Sequence, residues 1–133
     1  MSRRVLVVDD DADTVEVLAE LLQDAGYEVA VATDGIEALV ALYWSPRPDA
    51  VLLDLWMPVV PGGDVLEQLR RDATFADVPV VLLTAAPVPD ALRCAANATL
   101  SKPFDLSTLL ALLEQLVPPA EAGGAPCGLS APP

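Results

Sequence analysis

The chain has 133 residues, 53% of them hydrophobic, which fits one domain with an adequate core. With 20 acidic against 7 basic residues its net charge is −13, which argues against direct nucleic-acid contact. It has no histidine, so His-based triads, His zinc sites and an internal phosphohistidine are excluded. No apolar run approaches the ~18 residues of a membrane span. Met1-Ser2-Arg3-Arg4 is followed by too short an apolar stretch for a signal peptide, so no membrane association and a cytoplasmic location are expected. Cys94 and Cys127 lack metal spacing or a disulfide framework and read as free thiols.

In chain order, Arg4 to Val8 is a buried strand ending at Asp9-Asp10-Asp11. Asp13 with Glu16 resembles a capping box that opens a helix. Val15, Leu18, Leu21, Leu22 and Ala25 form its apolar stripe, and Gly26 stops it. Glu28 to Ala32 alternates more and fits an edge strand. Asp34 and Glu37 repeat the capping logic for a helix to about Tyr43, ended by Ser45-Pro46-Arg47-Pro48. Val51-Leu52-Leu53 then runs straight into Asp54, with a Met57-Pro58 turn behind it. Such a short continuous apolar run fits a strand buried on both faces.

Pro58, Pro61, Gly62 and Gly63 read as a loop before a helix from about Asp64 to Arg71. Pro79 to Thr84 is a fourth buried strand. The next helix has at most Pro89 to Ala96, and Ala98 to Ser101 is a brief fifth strand. Asp105 caps a last helix with the stripe Leu106, Leu109, Leu110, Leu113 and Leu116. Residues 118–133 are rich in Pro, Ala and Gly and are expected to be a disordered tail after a domain of residues 1–117.

Five alternations of strand and helix imply an α/β fold, a parallel sheet with helices on both faces. All strand carboxyl ends then share one edge. Asp9 and Asp10 arrive there from the first strand, Asp54 from the third, Thr84 from the fourth and Lys102 after the fifth. Clustered carboxylates repel unless a cation sits among them, and an all-oxygen set suits Mg²⁺. A lysine and a hydroxyl opposite can hold phosphoryl oxygens, leaving Asp54 as a nucleophile that forms an acyl phosphate.

Val8-Asp9-Asp10, Asp54 with Met57-Pro58, Thr84-Ala85 and Lys102-Pro103-Phe104 resemble the receiver domain of two-component response regulators, over residues 4 to 117. That resemblance implies a flavodoxin-like five-stranded sheet of order 2-1-3-4-5. It implies that Asp54 takes a phosphoryl group from a sensor histidine kinase or phosphotransfer protein. Asp10, Asp54 and the Trp56 carbonyl would bind Mg²⁺, and Asp9 would act through metal-bound water. Thr84 and Lys102 would grip the phosphoryl group, and the Lys102-Pro103 peptide would be cis. The protein would then be a phosphoacceptor rather than an ordinary enzyme.

Two other readings stand beside this one. Asp9-x-Asp11, Thr84 and Lys102 also resemble the haloacid-dehalogenase phosphatases, with Asp9 as nucleophile, although Asp54 then has no role. The other is a pseudo-receiver, a docking module that never takes phosphate. Three departures from the receiver pattern bear on output. Thr99 stands where receivers carry an aromatic switch residue, the span from Thr84 to Lys102 is about one helical turn short, and Trp56 and Ala86 flank the site. The shortened fourth helix leaves too little surface for the usual activation dimer, so a monomer that signals to an unknown downstream protein is expected.

Overall fold

The computed structural model describes residues 3–44, 46–57 and 60–117. The expected disordered tail, residues 118–133, lies outside these, as do Ser45 and Pro58. Five strands, β1 (Arg3–Val8), β2 (Tyr27–Ala32), β3 (Ala50–Asp54), β4 (Val80–Thr84) and β5 (Ala98–Ser101), alternate with five helices. These are α1 (Ala12–Asp24), α2 (Gly35–Trp44), α3 (Gly62–Arg71), α4 (Asp90–Ala95) and α5 (Leu106–Leu116). The sheet is parallel throughout, in the order β2-β1-β3-β4-β5.

The period of two along each strand sorts the core into two layers. Leu6, Val8, Val51, Leu53, Val80 and Leu82 face α2 and α3. Val5, Val7, Leu52, Val81 and Leu83 face α1 and α5. Every residue of β3 and β4 is buried, which is why both appear in the sequence as unbroken apolar runs. β2 is an edge strand, as its alternation suggested. Among the described residues no helix is long and apolar enough to cross a membrane.

The helix ends depart from expectation in three places. The N-cap of α1 is Asp11, not Asp13; its Oδ1 accepts from the amides of Asp13 and Thr14 at 3.0 and 3.4 Å. Asp105 occupies the N-cap position of α5 but its side chain makes no capping hydrogen bond. α3 starts at Gly62, two residues before Asp64, because the helix end seats directly on the end of β3. A Cβ at Gly62 would run into the Asp54 carbonyl oxygen and lie 2.8 Å from the Leu55 Cα, and the Gly62 amide donates to the Leu55 carbonyl at 2.9 Å. Only glycine admits that approach.

α4 is six residues long and has no buried residue. Leu92 and Ala95 pack against the core, and Arg70 on α3 holds the carboxyl end of the helix. The Arg70 guanidinium donates to the carbonyls of Ala95, Ala76 and Val78 and to Asn97 Oδ1, at 2.8 to 3.1 Å. Asn97 Oδ1 also accepts from the Val80 amide at 2.9 Å, so one fork ties α3 to the α4–β5 connection and to β4.

Candidate functional site

The sheet order reverses between β1 and β3, since the chain moves outward to β2 on one side and to β4 and β5 on the other. A crevice opens at such a reversal, outside the strand carboxyl ends. Asp9 and Asp10 follow β1 directly, and Asp54 is the last residue of β3. Carboxylate oxygens of Asp9, Asp10 and Asp54 lie within 4.8 Å of one another. Asp9 is fully buried, Asp54 is 5% exposed and Asp10 faces water.

Lys102 reaches this cluster from the end of β5, positioned by the bond from its amide to the Thr84 carbonyl at 2.8 Å. Its Nζ donates to Asp9 Oδ2 at 2.7 Å and stands 3.8 Å from Asp54 Oδ2. The Lys102-Pro103 peptide is cis. Asp9 Oδ1 accepts from the Asp11 amide at 3.0 Å, so both its oxygens are engaged. Asp54 Oδ1 accepts from the Trp56 amide at 3.3 Å, which places Trp56 on the rim with its indole about half exposed.

Thr84 is buried at the end of β4, but its hydroxyl is occupied elsewhere. It donates to the Ala86 carbonyl and accepts from the Ala86 amide, both at 3.0 Å. Thus Asp9, Asp10, Asp54 and Lys102 converge as the sequence suggested, with Thr84 on the neighbouring strand turned toward its own loop.

Burial, and next the charge of Asp9, push the Asp54 carboxyl up to about 6 from its ordinary 3.8, against the pull of Lys102. Burial pulls the Lys102 ammonium down, but its bond to Asp9 and the charges of Asp54 and Asp9 together raise it above its ordinary value. The ammonium therefore does not offset burial and the neighbouring charges at Asp54. A small, hard divalent cation fits this all-oxygen donor set, in which Asp10 opens to water.

The folded protein holds a proton on Asp54 more tightly than the unfolded chain does. That contribution to stability is complete below about pH 4 and is lost as the pH rises through about 6. Above that range the Asp54 charge is a cost, which Asp54→Asn removes. A shift of this size corresponds to ~3 kcal/mol in full, and access of water at Asp10 reduces it to about 1–2 kcal/mol. Thermal melts without divalent ions should show Asp54→Asn more stable than wild type at pH 7.5, with the gap closing toward pH 4. A gap that widens on acidification would contradict the assignment.

The family model for the response regulator receiver domain matches residues 5–114. The chain is 39% identical over 118 residues to the DNA-binding dual master transcriptional regulator RpaA of Synechocystis, covering 86% of this chain and 48% of that one. It spans about half the length of the curated relatives it matches. Among solved structures, the chemotaxis protein CheY4 of Vibrio cholerae superposes with a TM-score of 0.81 at 33% identity, over 88% of this chain and 100% of that one. TrrA of Thermotoga maritima, solved in complex with Mg²⁺-BeF, gives 0.79 at 34% identity, over 86% and 99%.

The chain belongs to the response regulator receiver domain family. Its doubly wound sheet, of order 2-1-3-4-5, is the receiver fold.

Proposed function

We propose that this domain accepts a phosphoryl group on Asp54 from the phosphohistidine of a sensor kinase or phosphotransfer protein. The observation that carries this reading is the pairing of Asp54 with Lys102 at 3.8 Å inside a three-carboxylate cluster. An Asp54 oxygen attacks phosphorus in line, the bond to the donor nitrogen breaks, and the phosphoryl group remains as an acyl phosphate. Lys102 lies where it can take a phosphoryl oxygen, and Thr84 can supply a second donor by giving up the Ala86 carbonyl. Asp10, Asp54 and the Trp56 carbonyl would hold Mg²⁺, with Asp9 acting through bound water. The ion, when bound, neutralises charge on the carboxylates and on the phosphoryl oxygens.

The haloacid-dehalogenase reading would need Asp9 as nucleophile. Asp9 is fully buried with both oxygens engaged, which disfavours it. We assign no nucleic-acid contact to these 133 residues, whose net charge is −13. A cytoplasmic setting fits the same role.

Acetyl phosphate with Mg²⁺ should add one phosphate by mass spectrometry, and Asp54→Ala should abolish it. Equal labelling of that variant would move the role to Asp9. No labelling of wild type, by acetyl phosphate or by phosphorylated histidine kinases, would favour a phosphate-independent docking module.

A further inference from the structure

We propose that the groove between α3 and α4 is a docking site for a basic segment of a partner protein, an apolar side chain flanked by Lys or Arg. The groove holds about 270 Å³. It is lined by Trp56 and Pro61 beside the carboxylate site, by Asp64 and Glu67 on α3 and by Ala91 and Leu92 on α4. Gly63 adds no side chain to it. A Cβ there would already lie 3.1 Å from Leu92 Cδ1, so the group that would cover this leucine is missing. Trp56 is 53% exposed on the rim. The volume falls below the ~300–1,000 Å³ of small-ligand pockets and suits one or two side chains of a peptide. The Trp56 amide also bonds the Asp54 carboxylate at 3.3 Å, so an occupant of the groove touches a residue that touches the site.

Charge selects the occupant. The ionisable side chains lining the groove are Asp64 and Glu67, both exposed, and exposed Asp90 stands next to Ala91 at the start of α4. Arg71 reaches Glu67 only at 3.8 Å, with both side chains more than half exposed, a pair that a partner's cation replaces at little cost. A second copy of this chain has little to offer such a rim. Among the described residues, Arg3, Arg4, Arg47, Arg70 and Lys102 are already held by carboxylates or backbone carbonyls. Arg71 stands beside the groove's own Glu67, which leaves Arg93 alone against a net charge of −13. Nucleic acid and anionic lipid are repelled by the same rim. A cationic peptide segment is attracted by the rim and held by the apolar floor.

The docking does not depend on phosphoryl transfer, so the test uses the full 133-residue chain unphosphorylated. The probe is a blocked octapeptide of two lysines, Leu-Leu-Ala-Leu and two lysines. It is titrated in a Trp44→Phe background, so that emission reports Trp56, and followed by amide shifts of Gly63, Asp64 and Leu92. The expected result is saturable binding with a Kd of roughly 100 µM at low salt, weakened about threefold or more at about 0.3 M salt. The same peptide with Ser for Leu, or Glu for Lys, should bind at least about tenfold more weakly. Ala91→Arg, which fills the groove with a like charge, should abolish binding, and Asp64→Asn with Glu67→Gln should weaken it about tenfold. That pair carries the test should Ala91→Arg not fold by circular dichroism. Val17→Arg, on the apolar surface of α1 that includes Phe104, should leave binding unchanged. No saturable binding up to about 2 mM peptide overturns the proposal. So does equal binding of the Ser peptide, binding indifferent to the groove variants, or binding lost in Val17→Arg.

Discussion

Replacing Arg70 by Ala should lower stability by about 2–4 kcal/mol, which for a domain of this size is a fall of roughly 10 °C in thermal midpoint. The reason is the number of acceptors left behind. Three backbone carbonyls and Asn97 Oδ1 share this one guanidinium, two of the carbonyls in partly buried positions. Removing the donor costs their desolvation as well as the bonds themselves. Arg70→Lys should recover little, since one ammonium cannot reach acceptors spread around a planar fork. Urea unfolding of the three proteins measures this directly. A loss below about 1 kcal/mol in Arg70→Ala would mean that water replaces the guanidinium without penalty.

Lys102→Met should be the second most damaging change, by about 2–3 kcal/mol in the absence of divalent ions. Lys102 is the charge partner of a fully buried carboxylate, and removing one member of such a pair strands the other. The full cost of 3–5 kcal/mol does not apply because the lysine itself is partly exposed. Added Mg²⁺ should rescue this variant by more degrees than it adds to wild type, because the ion then supplies the missing positive charge. The two substitutions in the same cluster therefore act in opposite directions, Asp54→Asn upward and Lys102→Met downward. Calorimetric scans of both, with and without Mg²⁺, check the pair. A stabilising Lys102→Met would show that the carboxylates do not need the ammonium.

The site was legible from the sequence because parallel strands align their carboxyl ends. Once Asp9, Asp54, Thr84 and Lys102 were placed at strand ends, the topology brought them to one edge. The strands themselves were plain because β3 and β4 are buried on both faces and carry no polar residue before the site. What was not legible depends on contacts between distant segments. Pro61-Gly62-Gly63 carries the composition of a loop, and nothing local announces that Gly62 starts a helix pressed on the Asp54 carbonyl. Asp11 and Asp13 are equally good caps on paper, and the choice fell to the residue at which the backbone leaves β1. Arg70 looks like an ordinary basic residue in the last turn of a helix, since its acceptors lie 6 to 27 residues away. The exposure of Ile36, Val40 and Trp44 on α2 was hidden for the opposite reason, because an apolar sequence gives no sign of which side the fold will leave bare.

The short α4 has a consequence for how the domain breathes. With six residues and none buried, it has little apolar burial to lose on local unfolding, so its opening free energy lies far below that of the sheet. Its amides should exchange with solvent through local opening, while those of β3 and β4 wait for global unfolding. The loop that holds the Thr84 hydroxyl feeds directly into this helix. The change of partner proposed for Thr84 would therefore act on a helix with little buried surface to hold it. With Thr99 in place of an aromatic ring, local order in this short helix is then a ready route for such a change to spread.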